Sequence, residues 1–111
     1  MLIFKVLLKQ EFVCFRSKGH FVGSKQDLID GFIHFSTRSQ LQGTLEKHFA
    51  NEKNLILISV DPEKLREKLS WEKARNNELF PHYYGILKFD YTSWVAPMTL
   101  EGSKHVIPNG F

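Results

Sequence analysis

The polar segment from His34 to Gln40 contains the residues best suited to bind an anion. Alternation along the predicted strand 32–36 places His34 and Ser36 on the same face. Thr37 comes next, and with Gln40 three residues later it matches the capping-box pattern that begins a helix. The unpaired N–H groups and the positive dipole at such a junction favour a phosphate or carboxylate. We therefore predict that His34, Ser36 and Thr37 hold an anion; alternatively, Thr37 only caps the helix and His34 bonds a backbone carbonyl.

The helix predicted after this junction carries a line of polar side chains beside its apolar stripe. Gln40, Thr44 and His48 recur at the spacing of one helix face. Gln40 and His48 are therefore candidates to face the same cleft as His34. The alternative is that His48 stabilises the C-terminal end of the helix, where a positive charge is favourable.

A second group of candidates follows Trp71. Glu72 and the segment 80–85, with His82, Tyr83 and Tyr84, combine a carboxylate, an imidazole and two phenols. If the fold brings them together, Glu72 and His82 are suited to acid/base chemistry, and the tyrosine rings are suited to stack on a base or nicotinamide ring. The alternative is that the aromatic residues fill the core and its rim, while Glu72 pairs with a lysine.

Several standard motifs are absent from the sequence. It has no Gly-x-x-x-x-Gly-Lys or Gly-x-Gly-x-x-Gly phosphate loop and no Gly-x-Ser-x-Gly nucleophile motif. The five histidines form no His-Glu-x-x-His or His-x-His pattern, so we predict no metal site. The one cysteine, Cys14, cannot form an intramolecular disulfide.

Hydropathy and turn signals predict the elements that must position these residues. A strand over 2–8 leads into a helix over 9–18, and the apolar run 54–60 is predicted as the central strand of a covered sheet. Asp61 and Pro62 signal a short helix, and further extended segments follow over 71–74, 86–89 and 93–98. Phe80 is also expected to be extended, because Pro81 follows it. The pattern predicts one domain over 1–100, either α/β or α+β, of which we favour α+β, with five or six strands and two or three helices, and a C-terminal tail over 101–111.

Length and composition exclude several classes of protein. The chain has 111 residues, 42% of them hydrophobic and 24% charged, which is typical of a single globular domain. No apolar run reaches the roughly 20 residues of a membrane-spanning helix, and no secretory signal is recognisable, so we expect a cytoplasmic protein. A net charge of +3 mildly favours anionic partners. The basic residues are dispersed, which argues against a dedicated nucleic-acid binder.

Several of these motifs together resemble the bacterial family known as domain of unknown function 952. The resemblance rests on 30–37, Gln40, His48-Phe49, Trp71-Glu72 and 80–85, and it spans about residues 2–97. Phe35 and Tyr83 stand where the family usually or often has leucine. The family is similar in fold to ADP-ribosyltransferases and to RNA phosphotransferases that use NAD. The resemblance therefore implies a split mixed sheet with two or three short helices and a cleft that binds NAD or a related nucleotide.

The resemblance also implies roles for particular residues. The expected catalytic residues are His34, Glu72 and His82. The expected nucleotide-binding residues are Lys5, Ser36, Thr37, Gln40, His48, Tyr83 and Tyr84. Two alternatives stay open: a module of the same fold that binds a small molecule or a protein without catalysis, and a nucleic-acid binder with salt-sensitive affinity. The sequence does not indicate an oligomeric state.

Overall fold

A computed structural model of the chain describes residues 1–109, and within that range it contains three α-helices and nine β-strands. In chain order these are β1 (Ile3–Leu8), α1 (Lys9–Lys18), β2 (His20–Phe21), α2 (Lys25–Asp30), β3 (Ile33–His34), α3 (Leu41–His48), β4 (Leu55–Val60), β5 (Leu69–Lys73), β6 (Leu79–Tyr83), β7 (Leu87–Lys88), β8 (Thr92–Glu101) and β9 (Lys104–Val106). Short 3₁₀ turns occupy Pro62–Lys64, Arg66–Lys68, Arg75–Asn77 and Phe89–Tyr91. One α+β domain with two or three helices, as predicted, is confirmed.

The strands form three antiparallel sheets. Their orders are β1-β4-β8-β9, β3-β6-β5 and β2-β7. Every strand pair in residues 1–109 is antiparallel, so the mixed sheet implied by the resemblance is wrong for the described part of the chain. The strand count exceeds the predicted five or six because β2, β6 and β9 lie where no strand is predicted; β2 has two residues, too few to produce a hydropathy pattern.

A single bridge joins the four-stranded and three-stranded sheets. The Phe4 N–H donates to the Ser36 carbonyl at 2.8 Å, and the Ser36 N–H donates back to the Phe4 carbonyl at 2.9 Å. The chain that follows β3 therefore runs beside β1 for one residue pair only. This narrow junction leaves the two sheets splayed around a cleft.

Strand β4 is the central strand, as its unbroken apolar run predicts. It lies between β1 and β8, and its alternate side chains enter two separate hydrophobic clusters. Ile58 and Val60 pack with Phe15 of α1, whereas Leu55 and Leu57 pack with Leu41 of α3. Because both faces of the strand are covered, its sequence shows no polar alternation. No helix among residues 1–109 is both long and apolar enough to cross a membrane.

Three segments differ from their predicted form. The segment 25–30, where no helix is predicted, is helix α2, and it ends at Gly31 with φ of 86°, the left-handed conformation that favours glycine. The helix predicted after Asp61 is two 3₁₀ turns with the buried Leu65 between them. Within the predicted tail, 104–106 form β9, and His105 is buried against the Glu52 carbonyl. Residues 110–111 of that tail lie outside the described residues.

The buried β4 side chains should dominate the stability of the domain. Leu57 is fully buried, so Leu57→Ala should lower the free energy of unfolding by about 2–5 kcal/mol through lost burial and the remaining cavity. Leu28→Ala is the matched control, because Leu28 is exposed on α2 and its loss should change stability by less than about 0.5 kcal/mol. Urea unfolding followed by circular dichroism measures both changes. Equal effects of the two substitutions would contradict the central position of β4.

Candidate functional site

A cavity with a volume of about 600 Å³ lies at the junction of the two sheets. It is bounded by β1, the start of α2, the segment 34–36, α3 and the β5–β6 hairpin. Five of the predicted site residues line it: Lys5, His34, Ser36, His48 and His82. The fold therefore brings together residues that are up to 77 positions apart in the sequence (82 minus 5).

A buried carboxylate, Asp27, holds one wall of this cleft together. Its two oxygens contact the Lys5 Nζ at 3.1 and 3.0 Å, and one of them lies 2.6 Å from the His34 Nδ1. The same side chain accepts the Ser24 N–H at 2.8 Å, while the Ser24 hydroxyl accepts the Asp27 N–H at 3.2 Å. Asp27 is thus both part of the α2 capping box and the anchor for β1 and β3.

The contacts of Asp27 keep it ionised. Burial by itself raises the pKa of its carboxyl, but the hydrogen bond from His34, the charge of Lys5 and the Ser24 N–H outweigh burial and hold that pKa far below its usual value. The stability that Asp27 contributes is therefore present above its unfolded pKa, near 3.8, and is lost as the pH falls below that value.

Both ring nitrogens of His34 face carboxylates. Nδ1 contacts Asp27, and Nε2 lies 2.9 Å from an oxygen of Asp30 on the last turn of α2. The His34 backbone N–H also donates to Asp27 at 3.2 Å. Only the doubly protonated ring can donate to both acids at once. His34 therefore links β3 to α2 while its ring edge lines the cavity.

His82 is held in a different way. Its Nδ1 lies 2.8 Å from the Glu72 Oε1, and the same oxygen accepts the Tyr84 hydroxyl at 2.7 Å. These two hydrogen bonds lower the pKa of Glu72, and the bond to Glu72 raises the pKa of Tyr84. Within residues 1–109 the His82 Nε2 has no hydrogen-bond partner, and His82 lines the cavity. An ionised Glu72 thus orients His82 with one ring nitrogen left for a ligand.

Phe32 fixes the positions of the two histidines relative to each other. Its ring stacks on His82 with centroids 4.0 Å apart and lies 4.5 Å from the His34 ring and 5.3 Å from the Tyr84 ring. The His34 and His82 ring centroids are consequently 5.5 Å apart. Contacts of this kind hold side chains in defined orientations because the packed rings restrict each other's rotation.

The opposite wall of the cleft is polar and cationic. The Ser36 and Thr44 hydroxyls share a hydrogen bond at 2.8 Å, and the Arg75 Nη2 approaches the Thr44 Oγ1 at 3.4 Å. Lys47 and His48 of α3 line the same wall. Burial lowers the pKa of His48, and the nearby positive charges, foremost Lys47 and Arg75, lower it further.

The other predicted site residues lie outside the cavity lining. Gln40 is buried, where it accepts the Thr37 N–H at 3.0 Å and donates to the Leu79 carbonyl at 2.8 Å. The Thr37 hydroxyl accepts the Gln40 N–H at 3.3 Å, so the two residues form the reciprocal bonds of a capping box. The predicted helix start is nevertheless wrong, because α3 begins at Leu41 and its N-cap is Gln40. Tyr83 is buried in the core, where its hydroxyl bonds the Ile86 carbonyl and burial raises its pKa. Glu72 contacts His82 and accepts the Tyr84 hydroxyl, but neither Glu72 nor Tyr84 lines the cavity.

Two residues of the site were missed from the sequence. Asp27 had a usable signal, since Ser24 and Asp27 stand at the spacing of a capping box, here closed by an aspartate. Arg75 had no such signal, because it lies in a polar turn that reads as a solvated loop. Its position against α3 depends on how the β5–β6 hairpin packs on that helix.

Removing the charge of Asp27 tests its anchoring role. Asp27→Asn leaves the buried Lys5 without an anionic partner, so it should lower the free energy of unfolding by about 3–5 kcal/mol at pH 7. In the unchanged protein, protonation of Asp27 should lower the free energy of unfolding as the pH falls below 3.8, and this contribution should be absent in Asp27→Asn.

Asp30→Asn provides the control for this prediction. Asp30 contacts the same histidine but is partly exposed, so its loss should cost less than about 1 kcal/mol. Urea unfolding of the three proteins between pH 3 and pH 7 gives both comparisons. If Asp27→Asn and Asp30→Asn had the same small effect, the Lys5–Asp27 pair would not anchor the cleft.

Comparison with known proteins supports the resemblance seen in the sequence motifs. The model of the family described as protein of unknown function (DUF952) matches residues 7–95. A crystal structure of protein CC0527 from Caulobacter crescentus is similar to this chain, with 38% identity, a TM-score of 0.90, and 94% of this chain and 91% of that chain covered. The solution NMR structure of CC0527 gives 38% identity and a TM-score of 0.84, over 94% and 90% of the two chains. No curated protein matches the chain. Because the family model matches most of its length, the chain belongs to the DUF952 family.

Proposed function

We propose that the cleft binds NAD or a related nucleotide and that the protein is a cytoplasmic enzyme of the ADP-ribosyl- or phosphotransferase type. The observation that carries the proposal is the orientation of His82. Its Nδ1 is held by Glu72, while its Nε2 is left unbonded by residues 1–109 in a side chain that lines the cavity. This is the arrangement of a general base whose ring is fixed by a carboxylate.

His82 has a defined task in this proposal. The Nε2 takes the proton of an acceptor hydroxyl as its oxygen bonds to the ribose C1′ of NAD. The bond from C1′ to the nicotinamide nitrogen breaks, and its electron pair leaves with neutral nicotinamide. The imidazolium that results donates its Nδ1–H to the ionised Glu72, which stabilises the positive charge.

The lining of the cleft supports a nucleotide as the ligand. Its volume of about 600 Å³ lies within the roughly 300–1,000 Å³ typical of small-molecule sites. Phe4, Phe49 and Phe80 provide apolar surface for a ring, and Lys47 and Arg75 provide positive charge for phosphates. The narrow bridge between two sheets is also compatible with the split sheet of ADP-ribosyltransferases, which the family resemblance implies.

A binding module without turnover is the second candidate, and one observation favours it. Both nitrogens of His34 are occupied by Asp27 and Asp30, so this histidine has no ring nitrogen available for proton transfer while those contacts persist. Of the two histidines predicted to be catalytic, His82 alone then retains a nitrogen for chemistry. A cleft built this way still binds a ligand if His82 serves only as a hydrogen-bond donor.

Nicotinamide release separates the two candidates. With NAD and a hydroxyl-bearing acceptor such as water, the unchanged protein should release nicotinamide, and His82→Ala should slow the release roughly 10²–10⁴-fold because the base is lost. Glu72→Gln should slow the release less than His82→Ala does, because the amide oxygen still orients the His82 ring. It should still slow the release, because the amide carries no charge. This second variant matters because Glu72 is half exposed, so its substitution leaves the core intact. Chromatography of nicotinamide measures all rates.

His20→Ala is the matched control, since His20 is exposed on β2 and lies outside the cavity lining. It should release nicotinamide at the unchanged rate. Amide chemical shifts recorded during the NAD titration should move over 32–40 and 79–85. Shifts at these positions without nicotinamide release would support the binding module, and no shifts at millimolar NAD would refute the transferase and leave only a module for another ligand.

A further inference from the structure

Arg75 occupies a position in the cleft that none of the predicted roles explains. Its Nη2 donates to the Gln40 carbonyl and to the Thr44 hydroxyl, both at 3.4 Å, and its guanidinium carbon lies 4.9 Å from the Phe80 ring centroid. No carboxylate among residues 1–109 forms an ion pair with it. The guanidinium is therefore immobilised by neutral groups and an aromatic face while its charge stays uncompensated.

Helix α3 has an opening for this side chain at Gly43. A Cβ added to Gly43 would lie 2.9 Å from the Arg75 Nη2 and 3.4 Å from its Cζ, closer than ordinary van der Waals contact. Glycine is a poor residue inside a helix, because its backbone is the most flexible in the unfolded chain. Because the Arg75 guanidinium occupies the space that a side chain at position 43 would need, glycine has a physical reason here.

The turn of the hairpin that carries Arg75 has an unusual backbone conformation. Asn76 and Asn77 both have positive φ, at 58° and 61°, in a turn between β5 and β6. The left-handed conformation is unfavourable for residues other than glycine, although asparagine tolerates it best. These two residues reverse the chain within three positions and leave Arg75 directed towards α3.

The neighbours of Arg75 have the chemistry of an anion site. Thr44 and Ser36 contribute two hydroxyls joined at 2.8 Å, and Lys47 lines the same wall. The guanidinium uses only Nη2 in hydrogen bonds to residues 1–109, so its other N–H groups are available to a ligand. The lowered pKa of His48 in the same wall reflects burial and the positive charge of these neighbours.

We infer that Arg75, Thr44 and Ser36 form a subsite for a phosphoryl group. A guanidinium with free N–H donors beside hydroxyls matches the oxygen pattern of a phosphate or diphosphate. The phosphoryl group belongs either to a nucleotide or to a free phosphorylated metabolite. This subsite would hold the phosphate end of the ligand in the proposed function. It rests on the proposed function only in that both use the same cleft.

Calorimetric titration with pyrophosphate, ADP and adenosine tests the subsite. Pyrophosphate should bind the unchanged protein, and Arg75→Gln should weaken its affinity about tenfold or more through loss of a charged donor. Arg75→Lys should bind with intermediate affinity, because a point charge replaces the planar fork. Arg16→Gln is the control: Arg16 is exposed on α1, away from the cleft, so pyrophosphate affinity should not change.

Gly43→Ala separates a ligand role from a structural role of Arg75. Alanine favours the helix more than glycine does, so thermal unfolding should show α3 at least as stable, while the displaced guanidinium should bind pyrophosphate more weakly. The His48 imidazole provides a second readout by NMR. Bound pyrophosphate should raise the pKa of His48 in the unchanged protein and leave it unchanged in Arg75→Gln.

The outcomes distinguish this inference from the proposed function. Pyrophosphate affinity that is equal in Arg75→Gln and the unchanged protein, or absent in the unchanged protein, overturns the subsite even if NAD is turned over. Pyrophosphate binding that requires Arg75, with no nicotinamide release, upholds the subsite and refutes the transferase. Tighter binding of ADP than of pyrophosphate, with adenosine alone binding weakly, identifies a nucleotide; tighter binding of pyrophosphate identifies a free phosphorylated metabolite.

Discussion

The buried carboxylate of Asp27 is the interaction on which the geometry of the cleft depends. It joins Lys5 of β1, the start of α2 and His34 of β3, three elements that no continuous sheet connects. A buried charge is costly unless several partners satisfy it, and here an ammonium, an imidazole and a backbone N–H do so together. The same contacts hold its carboxyl ionised and fix the wall that carries His34.

Two histidines near the cleft are held by carboxylates, and they differ in how many of their ring nitrogens are bonded. Asp27 and Asp30 occupy both nitrogens of His34, whereas Glu72 occupies one nitrogen of His82. Phe32 lies between the two rings, so the positioned histidine and the available one are held in one cluster. His34 therefore links structural elements, whereas His82 keeps one ring nitrogen without a hydrogen-bond partner among residues 1–109. On the opposite wall no carboxylate of residues 1–109 forms an ion pair with Arg75, which is why we propose that its charge binds a phosphoryl group.

The sequence was informative wherever a local pattern decides the structure. The run 54–60 predicted the central strand because both its faces are buried, and Thr37 with Gln40 predicted the turn that begins α3 because that capping contact spans three residues. Local signals failed for β2, whose two residues are too few to show a period. They also failed for 104–106, where pairing with β8 decides the strand.

By itself, the sequence determined the family, the α+β class and five of the residues that line the cleft, because these follow from motifs and hydropathy within short windows. Only the tertiary structure decided which of those residues keep a polar atom without a hydrogen-bond partner among residues 1–109. The Lys5–Asp27 pair spans 22 positions, and the Arg75 contact with the Gln40 carbonyl spans 35. Contacts over such separations form when elements pack, and no residue pattern near Lys5 or Arg75 encodes its partner.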